Sequence, residues 1–184
     1  MASSLPFLAA MSAPTFAQEA EEGAENVENI IVTGTRMSNR SAADSPVPVD
    51  VITGEEFRSN SSSDVQDMLR TNVPSFDVNT QPISDAATIV RPANMRGLSP
   101  DNVLVLVNGK RRHRGSIISF LGGGISDGAQ GLDISAIPSL ALKQVEVLRD
   151  GSSSQYVSDA IAGVLNFLLR DNDEGFEFRA NYGS

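Results

Sequence analysis

The side chains best suited to binding or catalysis lie in one basic segment, "KRRHR", residues 110–114. This segment contains the only histidine of the chain. The sequence has no cysteine, no G-x-S-x-G elbow and no H-E-x-x-H motif, so it lacks the common motifs that present a nucleophile or a set of zinc ligands. Acyl transfer and metal-assisted hydrolysis both depend on such groups. The composition therefore predicts that the protein is not an enzyme.

Two other segments resemble ligand-binding loops but lack essential parts. "LGGGISDG", residues 121–128, is rich in glycine, yet it lacks the Lys-Ser/Thr pair that a phosphate-binding loop requires. "DNDEG", residues 171–175, begins like a calcium loop, but the full ligand spacing and the distant glutamate are missing. We interpret residues 171–175 as a solvated acidic turn, and neither a metal ion nor a cofactor is expected.

The net charge of -9 at pH 7 argues against a surface that binds nucleic acid, although residues 110–114 form a basic patch. Aromatic residues make up 5% of the chain and tryptophan is absent, which leaves few side chains for stacking on bases. A polyanion-binding module built on residues 110–114 therefore stays the weaker alternative, and no nucleic-acid partner is expected.

The first residues have the features of a secretory signal peptide that lacks its basic n-region. "MASSLPFLAAMSAPTFAQ" contains a short apolar run and small residues at the two positions that a signal peptidase reads, but no basic start. We expect residues 1–17 to be a remnant of a signal peptide. Residues 18–45 are predicted to be a flexible acidic linker that carries "ENIIVTGTR", residues 28–36. No stretch approaches the ~20 apolar residues that a membrane-spanning helix needs.

The middle of the chain combines strand and helix patterns. "SPVPVDVIT", residues 45–53, alternates like a half-buried strand, and its two prolines restrict it to a sheet edge or themselves to the first residues of the strand. "SSSDVQDMLRTNVPSF", residues 61–76, is typical of a short helix, with Ser62 or Ser63 as its cap. Residues 76–93 show no clear period and are predicted to be a long loop, which in a compact domain is more often functional than idle.

The last part of the chain contains the clearest strands. "VLVLV", residues 103–107, is apolar on both faces and is followed by Asn-Gly, so it is predicted to be a covered strand that enters a hairpin. Residues 116–131 contain three consecutive glycines and are predicted to form a second long loop. Further strands are predicted at residues 144–148 and from Gly163 onward, and "GFEFRANYGS", residues 175–184, alternates like a strand of a transmembrane barrel.

Three segments together resemble a known family. In their order and spacing, "ENIIVTGTR", "MRGLSPDNVLVLVNGKRRH" and "IPSLALKQVEVLRDGSSSQYVSDAIAGVLNFLLR" are similar to the plug domain of TonB-dependent outer-membrane receptors. The resemblance implies an α+β fold, with a small mixed sheet of four to five strands, short helices and long apical loops. It also implies that residues 46–172 are the plug domain and residues 173–184 the truncated start of the first barrel strand.

The resemblance implies partners as well as a fold. The plug of such a receptor sits inside a 22-stranded barrel of the same chain, and the periplasmic domain of TonB delivers the energy for uptake. The cargo would be a scarce small molecule such as a siderophore-iron chelate, cobalamin or a saccharide. The expected location is the bacterial outer membrane, on the periplasmic side inside the barrel, or the periplasm if the chain is expressed alone. Without a barrel the chain is expected to be a transport-incompetent fragment, and an autonomous periplasmic ligand-binding module is the alternative.

The resemblance also assigns roles to individual residues. An extended, β-prone peptide between polar segments can add itself to a partner's sheet edge, and the predicted TonB box consists of Glu28, Asn29, Ile30, Ile31, Val32 and Thr33. The alternative is that these residues form an ordinary first strand of the domain. Barrel glutamates are expected to pair with Arg96 and Arg149, although Arg96 could equally be a surface arginine. The ligand-facing loops are predicted to include Asn79, Gln81, Arg91, Ser99, Asp101, Asn102 and Phe120.

Overall fold

The structure is a computed structural model that describes residues 30–31, 40–41, 47–59, 62, 64–78, 90–119, 124–149, 153–171 and 178. The strands in these ranges are β1 (Ile30–Ile31), β2 (Arg40–Ser41), β3 (Val49–Thr53), β4 (Phe76–Val78), β5 (Ala93–Met95), β6 (Val103–Val107), β7 (Lys110–Arg111), β8 (Leu142–Leu148) and β9 (Gly163–Leu169). The α-helices are α1 (Gly54–Ser59), α2 (Val65–Asn72) and α3 (Ser153–Tyr156).

Five of these strands form the central sheet, in the order β3-β8-β9-β6-β7. β6 and β9 run parallel, while the other neighbours in the sheet are antiparallel. The prediction of a small α+β domain with a mixed sheet of four to five strands is therefore confirmed.

The strand β6 is covered on both faces, as its continuous apolar run predicts. Val103 and Val105 belong to the larger apolar cluster, which also contains residues of α1, α2, β4 and β5. Leu104 and Leu106 point the other way, into a smaller cluster with Val164 of β9. Since successive side chains of a strand alternate between faces, only a run without polar interruption can serve both clusters.

The predicted hairpin and the two strands that follow it are confirmed. Asn108 and Gly109 adopt positive φ angles of 50° and 73° between β6 and β7, as a tight Asn-Gly turn requires. β9 begins at Gly163, where the glycine predicted its start. β8 begins at Leu142, before the predicted residue 144, and carries an irregularity between Leu142 and Gln144.

The first strand of the central sheet, β3, lies at a sheet edge, a position that its prolines allow. β3 pairs with β8, which is its only neighbour in the sheet order. Val49, with the partly buried Val47 and Val51, packs into the smaller cluster, while Ile52 packs into the larger one. The alternation predicted for residues 45–53 is thus confirmed, with the edge position leaving one side of the backbone ladder unpaired by the described strands.

The helix α2 begins later than its serines suggest, and the prediction of a serine cap was wrong. Asp64 is the N-cap, with φ -89° and ψ 122°, and its side chain accepts a hydrogen bond from the Gln66 amide. Ser62 lies before the cap and binds the cap residue itself, since its hydroxyl oxygen accepts a hydrogen bond from the Asp64 amide at 3.1 Å. An aspartate can cap as well as a serine, so the extended backbone at residue 64 decides where the helix starts.

The predicted loop between residues 76 and 93 begins and ends in strands, which is a correction. β4 and β5 pair antiparallel as a separate two-stranded sheet, with Phe76 opposite Met95 and Val78 opposite Ala93. Strands of three residues are too short to show a period in the sequence. Their pairing holds the two ends of the segment together and places Arg96 directly after β5.

The strand β1 lies in a third sheet, which it forms with β2 alone. Ile30 is opposite Ser41 and Ile31 is opposite Arg40 in an antiparallel pair. In the described part of the chain, β1 is therefore not a strand of the central sheet. Residues 1–17 and the other four members of the predicted box, Glu28, Asn29, Val32 and Thr33, lie outside the described residues.

Candidate functional site

The two arginines expected to meet a barrel lie side by side. Arg96 follows β5 and Arg149 follows β8, and Nη1 of Arg96 donates a hydrogen bond to the Arg149 carbonyl oxygen at 3.0 Å. The Arg149 guanidinium donates through Nε and Nη2 to Oδ2 of Asp50, which lies on the edge strand β3. Three separate segments thus meet in one charged cluster, called here the arginine cluster, of Asp50, Arg96 and Arg149.

Gly163 allows the two arginine-bearing segments to approach each other. At this first residue of β9 a Cβ atom would lie 2.8 Å from the Leu148 carbonyl oxygen and 3.1 Å from Cε of Met95. Leu148 and Met95 immediately precede Arg149 and Arg96 in the chain. The absence of a side chain at Gly163 is therefore part of the geometry that brings the arginine cluster together.

The arginine cluster is accessible to a partner. The side chains of Arg149 and Asp50 are 45% and 41% exposed, and Arg96 is exposed as well. An ion pair this open to water contributes at most about 1 kcal/mol to stability, so the cluster is a poor stabilising device for the domain. The cluster presents two guanidinium groups at the surface, and a guanidinium can bind a carboxylate in bidentate geometry.

Arg91, expected to face ligand, has an internal partner. Its Nη2 pairs with Oδ2 of Asp64, and the two side chains are only 18% and 28% exposed. Its carbonyl oxygen accepts a hydrogen bond from Nε2 of Gln66 at 2.9 Å. In the structure Arg91 therefore fastens the segment before β5 to the amino-terminal end of α2.

Three other predicted loop residues share one turn. Ser99 precedes the 3-10 helix Pro100–Asn102, and the Asn102 amide donates to the Ser99 carbonyl oxygen at 2.9 Å. Oδ1 of Asp101 accepts from the amide of Gln130 at 3.0 Å. Gln130 belongs to the second predicted loop, so Asp101 joins two loops that the sequence presents as separate. Asn79, Gln81 and Phe120 lie outside the described residues.

A groove of about 140 Å³ runs beside this turn. Its walls include Pro100, Asp101, Gln130, Asp159 and the basic segment from Arg111 to Arg114. Arg111 pairs with Asp159, Nη1 of Arg114 lies 3.6 Å from Oδ1 of Asp101, and Nε of Arg112 donates to the Asp133 carbonyl oxygen at 3.1 Å.

Residues 110–114 therefore do not form a purely positive surface, because carboxylates from distant segments are interleaved with them. This arrangement weakens the polyanion-binding alternative, since a phosphate backbone would have to displace those carboxylates. The sequence carried no local signal for Asp159, which comes from the 3-10 helix Val157–Ala160.

The pairing of Asp159 predicts a pH-dependent contribution to stability. The hydrogen bond from Arg111 holds the pKa of the Asp159 carboxyl below its ordinary value of 3.8. Because the pKa is lowered in the folded state, the stabilisation is present above pH 3.8 and is lost as the pH falls through the lowered pKa. We expect Asp159→Asn to unfold at lower urea than the wild type at neutral pH, with the difference closing in acid. A difference that stayed constant between about pH 7 and pH 2.5 would contradict this expectation.

A buried polar network crosses the central sheet, and sequence reasoning missed it. The Glu146 carboxylate is fully buried and accepts from Nε2 of Gln144 at 3.0 Å and from Nδ2 of Asn166 at 3.1 Å. Oδ1 of Asn166 accepts from the Gly109 amide at 3.0 Å. The network thereby links β8, β9 and the hairpin turn, and a lone glutamate in an apolar strand was the available signal.

Within the described ranges, no group of histidine, aspartate and glutamate side chains is arranged to hold a metal ion. Among the helices that the structure describes, none combines the length and the apolar character that crossing a membrane requires.

Comparison with known proteins identifies a family and a fold. The family model described as the TonB-dependent Receptor Plug Domain matches residues 41–164. A variant of the ferric enterobactin receptor PfeA from Pseudomonas aeruginosa, in complex with enterobactin, is 26% identical with a TM-score of 0.50, over 66% of this chain and 17% of that chain. The siderophore receptor PirA from Acinetobacter baumannii is 26% identical with a TM-score of 0.52, over 67% of this chain and 17% of that chain. This chain thus matches only about 17% of the length of each receptor.

Proposed function

Because the chain belongs to the TonB-dependent receptor plug domain family, we propose that it is the plug of an outer-membrane receptor and gates the uptake of a scarce small molecule. The observation that carries the proposal is the match over residues 41–164, together with a fold that places Arg96 and Arg149 in one exposed cluster. The plug domains of transport receptors are not enzymes, in keeping with the poor catalytic inventory of this sequence.

The proposed cargo is a ferric siderophore. The similar structures are named as a ferric enterobactin receptor and a siderophore receptor, which favours this class over cobalamin or a saccharide. The turn at Ser99, Asp101 and Asn102, held to the second loop through Gln130, is the proposed contact on the plug. Four further residues stay predicted members of the same surface: Asn79, Gln81, Arg91 and Phe120. For Arg91 the support is indirect, since its ion pair with Asp64 anchors the segment before β5.

The proposed partner of the arginine cluster is a barrel of the same receptor. Arg96 and Arg149 would receive barrel glutamates, as the family resemblance implies, and Asp50 would hold the Arg149 guanidinium in position before they arrive. Burial inside a barrel would remove water from these pairs and make each charge dependent on its partners. The cluster would then fasten the plug to the wall at the point where β3, β5 and β8 meet.

The proposed partner of residues 28–33 is the periplasmic domain of TonB. The supporting observation is that Ile30 and Ile31 adopt strand conformation outside the central sheet. A strand outside the central sheet can be donated to another sheet edge while the central sheet stays intact. Pulling on it would deliver TonB energy to the plug through β3, which is the first strand of the central sheet along the chain.

Binding to TonB tests the proposal directly. We expect the immobilised TonB periplasmic domain to capture the full 184-residue chain, and Ile31→Pro to weaken capture by at least about tenfold, because proline removes a backbone donor that strand addition needs. Ile31→Val keeps that donor and the β-branched side chain, so it should bind like the wild type. Equal capture of the proline and valine variants would refute the assignment of the box.

A further inference from the structure

The described part of the chain contains a strand that already pairs with the proposed TonB box. β2, Arg40–Ser41, lies antiparallel to β1, with Ile30 opposite Ser41 and Ile31 opposite Arg40. In an antiparallel pair, opposite residues alternate between pairs that exchange both backbone hydrogen bonds and pairs that exchange none. Addition of the box to a partner's sheet would use the same kinds of backbone groups on the same short strand.

We infer that Arg40–Ser41 is an intramolecular binding site for the TonB box and competes with TonB for it. The inference rests on the proposed function of residues 28–33. While the two strands are paired, β2 lies about 4.8 Å from β1 and covers one backbone edge of Ile30 and Ile31. The competition applies to a TonB strand that adds at this same edge, since the box must release β2 before that strand can pair there.

The pair is weak enough to be exchanged. It forms a sheet of its own, so no third strand of the described fold reinforces it. An isolated two-stranded pair is marginally stable in water. A partner strand that pairs along more of residues 28–33 would therefore displace β2.

The competition lowers the apparent affinity for TonB, because only the fraction of molecules in which the box is not paired with β2 can bind TonB. The double variant Arg40→Pro/Ser41→Pro removes both backbone donors of β2 and leaves residues 28–36 unchanged. We expect it to bind the TonB periplasmic domain about three- to tenfold more tightly than the wild type in the full chain, as a marginal pair implies. Arg40→Ala/Ser41→Ala removes the same two side chains as the double proline variant but keeps both backbone amides. Its affinity for TonB should therefore stay close to that of the wild type.

A reversible cross-link tests the same inference in the opposite direction. The chain contains no cysteine, so Ile30→Cys/Ser41→Cys introduces one defined pair. Directly opposite residues in an antiparallel pair have Cα atoms roughly 4.5–5.5 Å apart, which a disulfide can span. We expect the oxidised variant to bind TonB at least about tenfold more weakly than the same variant after reduction.

The outcomes separate this inference from the function on which it rests. If Ile31→Pro abolishes capture but the double proline variant binds no more tightly than the double alanine variant, the competition is refuted and the box assignment stands. Weaker binding of the double proline variant would also refute the competition, since β2 would then help TonB. If Ile31→Pro leaves capture unchanged, the box assignment itself fails.

Discussion

Gly163→Ala is expected to lower the free energy of unfolding by about 3 kcal/mol or more, through backbone strain and a steric clash together. Gly163 has a φ of 148°, which side-chain-bearing residues rarely adopt, and a Cβ there would lie 2.8 Å from the Leu148 carbonyl oxygen. That oxygen belongs to the neighbouring strand and cannot rotate away as a flexible side chain would. Equilibrium urea unfolding of the wild type and the variant measures the difference.

Gly97→Ala provides the matched control for this prediction. Gly97 also has a positive φ, 69°, but a Cβ there would have nothing within 4 Å. The control should therefore show only the backbone strain, about 1–2 kcal/mol. Equal losses at Gly163 and Gly97 would show that close packing against Leu148 and Met95 is not what requires the glycine of β9.

Glu146→Ala is expected to cost about 3–5 kcal/mol of unfolding free energy, because it leaves two buried amide donors without their acceptor. Nε2 of Gln144 and Nδ2 of Asn166 both donate to the Glu146 carboxylate, and the carboxylate is fully buried. Glu146→Gln keeps the shape but offers one acceptor oxygen in place of two, so its loss should be intermediate. The urea midpoints of both variants give these differences.

Glu55→Ala is the control for the loss of a glutamate as such. Glu55 lies exposed in the first turn of α1. Its replacement should change the free energy of unfolding by less than about 0.5 kcal/mol. A Glu146→Ala protein as stable as the Glu55→Ala protein would mean that the network across β8 and β9 does not support the sheet.

The central strands were predictable because each carries its own local signal. The unbroken apolar run of β6, the Asn-Gly turn after it and the glycine that opens β9 identify those elements without knowledge of the fold. The prolines near β3 likewise predicted either an edge position or a place at the start of the strand, since proline cannot donate a backbone hydrogen bond to a neighbouring strand. Hydrophobic period and turn chemistry act over a few residues, which is the range over which a sequence can be interpreted directly.

The elements that were missed depend on distant partners. β4 and β5 contain three residues each, and only their pairing with each other distinguishes them from loop. The start of α2 depends on the extended backbone of Asp64, which Arg91 helps to hold from a separate segment. Such choices are made by tertiary contacts, and nothing in the local pattern distinguishes Asp64 from the serines before it.

The candidate site was predictable in its members but not in its arrangement. Family resemblance selected Arg96 and Arg149, while the structure added their contact with each other and the participation of Asp50. Asp50 is one of several carboxylates in the chain, and only the pairing of β3 with β8 brings it to Arg149. The roles of these residues toward a barrel, and of the loop residues toward cargo, stay predictions.

The edge position of β3 has a mechanical consequence for a chain that is pulled from its amino end. The pair of Val49 with Leu148 is the first rung that such a load meets, and the Asp50–Arg149 ion pair lies beside it. When one end of a strand is pulled away from its neighbour, the residue pairs separate one at a time. This takes less force than pulling along the strand, which loads all pairs together. Because β3 bonds only to β8 in the described sheet, it can peel away while β8, β9, β6 and β7 keep their own ladders. The first pairs to open would remove Val49 from the smaller apolar cluster and free Arg149 from Asp50, so that tension from the amino end would reach the arginine cluster before the larger apolar cluster.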